Sequence, residues 1–228
     1  MHRRIPWFRT DLGDADVAAV ATALRDRRVT TGPLTAELER RVAAFLGVPD
    51  VVAVNSGAAA LLAALKALGI GPGDEVVLPG CSFVAPANAV LLAGAEVRLA
   101  DVDPVRAVMD PGALEAAIGP RTRAVIPVHP NGRAADLDTI REIARRRCLV
   151  VIEDAAQALG SRDRRGPLGT GSDAGCFSTG ITKLLATGEG GIIAARDPAV
   201  LAATRRYRNQ GAESPAGNRF DHEGFNLR

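Results

Sequence analysis

Residues 176–191 read CFSTGITKLLATGEGG and set one lysine, Lys183, among small, hydroxyl-bearing and glycine residues. Lys66 is the previous lysine and none follows Lys183, so the remaining positive charge of that half is arginine. An amine between two strands, with neutral neighbours, can give up its proton more easily and act as a nucleophile; equally, many lysines near strand ends are exposed and inert. A second stretch, VIEDAAQALGS (151–161), delivers Asp154 just past the carboxyl end of an apolar strand. Ligands of open α/β sheets bind at that end, although the same aspartate can simply cap the next helix. The third is NSGAAAL (55–61), where a strand ends and Ser56-Gly57-Ala58 opens an alanine-rich helix. Free N–H groups and the positive helix end suit an anion there, and glycine lets a phosphate come close. Many such turns bind nothing, and neither a Gly-Lys-Ser/Thr ending nor GxGxxG is present. A phosphate cradle, a carboxylate and an amine able to form a Schiff base are together the parts that a pyridoxal phosphate enzyme needs.

Positioning these groups requires strands that end on one edge. Short β-rich apolar runs occur at 51–54, 75–79, 96–100, 124–128, 149–153, 174–177 and 191–195. Helical patterns lie at 57–68, 83–93, 111–118 and 136–147, the last opened by Asp136 as an N-cap, with a further helix near 197–208. Strands that are apolar throughout and separated by helices predict a mostly parallel sheet covered on both faces, a three-layer α/β domain. Glycine and proline mark turns at 69–75, 78–80, 101–104 and 165–173.

The 228 residues suffice for one domain, or one large domain with a small appendage. Basic and acidic residues number 28 and 26 and are spread along the chain, which gives no footprint for nucleic acid or an anionic membrane. The basic run Arg145–Arg147 follows an apolar-periodic segment and reads as the solvated end of a helix. Cys81, Cys148 and Cys176 show no CxxC or Cys/His spacing, so reduced cysteines are expected and no metal. The basic N-terminus lacks an apolar core, and no window approaches ~18 uncharged apolar residues, so a cytoplasmic protein without a membrane span is expected. After 208 the chain runs NQGAESPAGNRFDHEGFNLR, loop-rich yet carrying Phe220 and Phe225, which reads as the middle of a longer protein.

The ordered series NSGAAAL, GPGDEVVLPGCSFVAPANAV, AEVRLADVDP, VIPVHPNGRAADLD, VIEDAAQALGS, FSTGITKLLATGEGG and GFNLR resembles the DegT/DnrJ/EryC1/StrS family. These are pyridoxal phosphate-dependent aminotransferases acting mostly on nucleotide-linked keto sugars, and the resemblance runs from Ile5 almost unbroken to Arg228. It implies the large domain of a fold-type I aminotransferase over 31–210, preceded by an N-terminal segment (1–30). Residues 211–228 would begin the connection to a smaller C-terminal domain that the chain does not contain.

The resemblance also implies roles. Lys183 would carry the cofactor and shuttle a proton, and Asp154 would pair with the pyridine nitrogen. Gln157 would lie near the cofactor ring and Phe83 would stack on it, while Gly57, Ala58 and Ser178 would hold the phosphate. Asn226 would reach the phosphate in a neighbouring subunit, so a homodimer with shared sites is implied. The expected reaction moves an amino group from a donor such as glutamate to a nucleotide-linked keto sugar. A cyclitol or amino-ring precursor is the alternative acceptor, and a truncated, non-catalytic partner subunit the alternative of another class. Ala58 stands where the family usually has threonine, Thr179 and Asn131 where aromatics are common, and Leu184 where asparagine is usual.

Overall fold

Strand side chains alternate between faces, and here nearly every position is apolar, so both faces of the sheet demand a cover. The computed structural model describes residues 5–213 and 219–228; residues 1–4 and 214–218, parts of the expected N-terminal and connecting segments, lie outside the described residues. The strands in chain order are β1 (Val51–Val54), β2 (Glu75–Pro79), β3 (Glu96–Ala100), β4 (Thr122–Val125) and β5 (Val150–Asp154), then β6 (Arg162–Asp163), β7 (Gly166–Pro167), β8 (Ala174–Ser178) and β9 (Gly191–Ala194). Seven of them form one sheet in the order β1-β9-β8-β5-β4-β2-β3. All its pairings are parallel except those of β9, which runs antiparallel to both β1 and β8.

The helices are α1 (Asp14–Arg25), α2 (Pro33–Leu46), α3 (Gly57–Ala67), α4 (Ala85–Ala93), α5 (Pro111–Ala117), α6 (Leu137–Arg147) and α7 (Pro198–Arg208). Val76, Leu78, Ile126, Ile152, Cys176 and Ile193 pack with residues of α3, α4 and α7 on one face. Their strand neighbours turn the other way: Val77, Val125 and Val151 meet Leu114 of α5 and Ile140 and Ile143 of α6. Val51, Phe177 and Ile192 meet Val42 and Leu46 of α2. The expected three-layer, mostly parallel α/β arrangement is therefore present.

Local chemistry sets the boundaries. Ser56, Asp110, Asp136 and Asp197 each accept a backbone N–H in the first turn of the helix they open. The strand expected at 124–128 instead begins at Thr122 and ends at Val125. Ile126 still donates to Val77 O at 2.9 Å, but Pro127 has no N–H with which to continue the ladder. Two helices and a hairpin are added to the sequence reading. Proline at the start of α2 and left-handed Gly47 (φ 68°) at its end were legible stop and start signals. Helix α1 buries no residue of its own. The stretch expected as a turn at 165–173 begins within the two-residue pairing of β6 with β7. Among the described residues, no helix is long and apolar enough to cross a membrane.

Candidate active site

Because β9 is antiparallel to β1 and β8, those two strands run alongside β5 in one direction. Their carboxyl ends share an edge, and the 179–190 loop from β8 to β9 must begin and end there. The same edge receives the Ser56 turn after β1, Asp154 at the end of β5 and Ser178 at the end of β8. A cavity of about 340 Å³ opens at this point, lined by Ser56, Gly57, Ala58, Phe83, Asp154, Gln157, Ser178, Lys183 and Glu189 among others. Seven of the eight residues singled out in the sequence thus meet around one space. Asn226 does not: it is exposed, bridges to Asn209, and accepts a hydrogen bond from Arg228 Nε at 3.1 Å.

The Ser56 turn is held from two sides. Ser56 Oγ accepts the Ala59 N–H at 3.0 Å, and the Asn55 N–H donates to Leu227 O at 2.9 Å. That second bond comes from the GFNLR segment, which also pairs with the end of α7 through Phe225 N–H to Tyr207 O at 2.8 Å. The Tyr207 and Phe225 rings pack at 5.8 Å. Gly57 and Ala58, in the first turn of α3, line the cavity, so the positive helix end is available to an anion there. A methyl group on Gly57 would lie 2.8 Å from Ser178 Cβ, so only glycine lets this turn approach the Ser178 hydroxyl.

Asp154 is only 6% exposed. Its Oδ1 accepts the Ala156 N–H at 3.0 Å, the one hydrogen bond to its carboxylate among the described residues. Burial pushes this carboxyl above its ordinary value, opposed by the Ala156 N–H and the nearby Lys183 charge. Its backbone is pinned by Asp154 N–H to Pro127 O at 2.9 Å and His129 N–H to Asp154 O at 3.0 Å. Lys183 is half-buried, Phe83 sits 72% exposed at the rim, and Gln157 Oε1 accepts the Asn131 N–H at 2.8 Å.

The adjacent Glu153 turns to the opposite face and was not anticipated. His129 Nδ1 accepts the Ala135 N–H at 3.1 Å, so the ring proton sits on Nε2 and donates to Glu153 Oε2 at 3.0 Å. Gly169 N–H donates to the same oxygen at 2.7 Å; Arg141 and the Gly171 N–H donate to Oε1 at 3.1 and 3.2 Å. Burial alone would push the Glu153 carboxyl up, but the bonds from His129 and Gly169 outweigh it and hold it near 2 rather than 4.5. A carboxyl lowered on folding stabilises the fold above its unfolded value, and that contribution disappears as pH falls through the folded value. Glu153→Gln should therefore cost about 1–3 kcal/mol at neutral pH. It should also flatten the loss of stability between pH 4.5 and 2, read from urea midpoints across that window. An acid limb as steep as in the unmodified chain would remove Glu153 from this account.

Residues 10–228 match the model of the DegT/DnrJ/EryC1/StrS aminotransferase family. GDP-perosamine synthase of Caulobacter vibrioides is 43% identical over 199 residues, which is 87% of this chain and 54% of that protein. The solved structure of DesV from S. venezuelae matches with a TM-score of 0.87 at 39% identity, over 91% of this chain and 56% of its own. NtdA from Bacillus subtilis, solved with bound cofactor PMP, matches with a TM-score of 0.88 at 33% identity, over 99% and 53%. The chain spans a little over half the length of these proteins.

Proposed function

We propose, since this chain belongs to the DegT/DnrJ/EryC1/StrS aminotransferase family, that it builds the cofactor-binding domain of a pyridoxal 5'-phosphate-dependent sugar aminotransferase. The observation that carries this reading is the meeting of the Gly57-Ala58 turn, Asp154 and Lys183 on one cavity. The residues fit the cofactor. A buried carboxylate with one satisfied oxygen suits a cationic ring nitrogen, and the glycine-only approach of the turn to Ser178 makes a cradle for a phosphate. About 340 Å³ falls within the size of small-molecule sites.

When bound, pyridoxal 5'-phosphate supplies the electron sink that acidifies a C–H bond beside nitrogen. The Gly57 and Ala58 N–H groups and the Ser178 hydroxyl orient the phosphate, Ala58 contributing no hydroxyl of its own. Asp154 keeps the ring nitrogen protonated, since charge separation in a buried site favours the ion pair over either ion alone. Phe83 covers the ring from the rim and excludes water there. Lys183 Nζ is the amine that takes the cofactor, and it then accepts and returns the proton that moves between carbon atoms.

The donor is glutamate and the acceptor a nucleotide-linked keto sugar; the relative named GDP-perosamine synthase supports that acceptor class. Asn226, exposed and outside its own cavity, serves the phosphate in the cavity of a second copy, so the working unit is a homodimer with shared sites. Because the chain has only Lys66 and Lys183, the test is clean. Reduction with borohydride after adding pyridoxal 5'-phosphate should label Lys183 and spare Lys66, and glutamate should then release 2-oxoglutarate from unreduced, loaded protein. Label on Lys66 alone, or on neither lysine, would rule the reading out.

A further inference from the structure

The loop that carries Lys183 has almost no packing of its own. Of the side chains between Ser178 and Gly191, Thr179 alone is buried, at 2% exposure, while Ile181, Leu184 and Leu185 face solvent. What closes the loop is a hydroxyl pair: Thr179 Oγ1 lies 2.8 Å from Thr187 Oγ1. Around it, the Thr187 N–H donates to Thr179 O at 2.9 Å and the Thr179 N–H to Gly190 O at 2.8 Å. Thr187 Oγ1 also lies 3.2 Å from Thr179 O and 3.3 Å from Glu189 O, both of which only accept. The arrangement that satisfies both hydroxyl protons has Thr187 donating to a carbonyl and the buried Thr179 hydroxyl donating to Thr187 Oγ1. A methyl group on Gly190 would collide with Thr179 Oγ1, so the glycine there leaves the room the pair needs.

We infer that the Thr179–Thr187 pair is a positioning clip that holds Lys183 over the cavity. The inference rests on the reading of Lys183 as the reacting amine. With the clip closed, the segment free to move shortens to the residues between the two threonines, and inside it the Lys183 N–H donates to Gly180 O at 2.9 Å, a tight turn. With the clip open, the base of the loop is held only by the backbone bonds of Thr187 N–H to Thr179 O and Thr179 N–H to Gly190 O, and the amine spends less time where it can react. Thr179 and Thr187 act through Lys183 and are positioning residues.

The two positions are not equivalent. Thr187→Val leaves the buried Thr179 hydroxyl without an acceptor, whereas Thr179→Val keeps the shape and removes the donor as well. The test uses the whole chain, these two variants, their double mutant and Thr187→Ser. It reads amide hydrogen exchange across 180–187 and the rate at which borohydride traps pyridoxal, the phosphate-free aldehyde, on Lys183. Thr187→Val should speed exchange and slow trapping by about three- to tenfold, in line with the loss of one net hydrogen bond. Thr179→Val should act in the same direction but less, the double mutant should be no worse than Thr187→Val, and Thr187→Ser should restore both readouts. Exchange in β5 and α6 should not change. Unaltered exchange and trapping in Thr187→Val, or a defect that serine does not restore, overturns the clip. If the unmodified chain traps no aldehyde on Lys183, the proposed function fails, and the exchange pattern alone decides whether the clip closes the loop.

Discussion

Replacing Lys183 with alanine is expected to reduce transamination by at least about 10⁴-fold, roughly 5 kcal/mol of barrier. On the proposed reading, two tasks end with one side chain: the amine that takes the cofactor, and the base that carries the proton at Nζ. The fold should not suffer. Lys183 is half-buried in a loop, and no ion pair to it occurs among the described residues, so urea midpoints should shift by less than about 0.5 kcal/mol, as surface changes usually do. Lys66→Ala is the internal control, since Lys66 Nζ pairs with Glu223 Oε2 at 2.7 Å, and it should keep its activity. The measurement is 2-oxoglutarate released from glutamate, with the absorbance of the attached cofactor followed in parallel. Activity within tenfold of the unmodified chain would take Lys183 out of the chemistry.

Asp154→Asn should separate activity from stability. The Asp154 carboxyl is raised by folding, so its contribution to stability is fully present below the unfolded value and is lost as pH rises through the folded one. At neutral pH without a cationic partner, the ionised side chain is thus a cost, and asparagine removes it while its Oδ1 still accepts the Ala156 N–H. The unloaded variant should be more stable than the unmodified chain by about 1 kcal/mol, the low end of what burying a polar group without a compensating hydrogen bond costs in proteins. Pyridoxal 5'-phosphate should stabilise the unmodified chain much more than the variant, because only the carboxylate gains an ion pair on binding. Transamination should fall by about 10³-fold or more, roughly 4 kcal/mol. Urea midpoints with and without the cofactor give the first two outcomes. An asparagine variant that is both less stable when unloaded and equally active would contradict the pairing.

The sheet was legible because its strands are apolar on both sides and separated by helices, a pattern that few other folds produce. Five strand starts agree with the sequence reading, at Val51, Glu75, Glu96, Ala174 and Gly191; the differences lie where Pro127 interrupts pairing and where edges slip by one or two residues. The meeting of Gly57, Asp154, Ser178 and Lys183 followed from strands ending on one edge, a consequence of topology as much as of motif. Two kinds of feature escaped. Helix α2 carried Pro33 and Gly47 at its ends and could have been read from them, whereas α1 buries nothing that would mark its face. The Glu153 network was hidden for a different reason. Alternation shows that Glu153 and Asp154 point to opposite faces, but nothing local says that His129, Arg141 and the Gly169 and Gly171 amides gather around the inward one. Likewise, Thr179 read only as a departure from a pattern until Thr187 was found beside it.

The bond from Asn55 N–H to Leu227 O joins the first strand-to-helix turn of the sheet to a segment that follows α7, the last helix among the described residues. During synthesis the ribosome delivers β1 and α3 early, when nothing yet holds Asn55 from the outside. The turn waits for the whole sheet, for α7 and then for GFNLR to emerge before its backbone is tied down. Contacts of such long sequence separation form late because loop closure must come first. A nascent chain therefore carries an unfinished anion cradle until GFNLR has emerged, and on the proposed reading it can retain a phosphorylated cofactor only from that point.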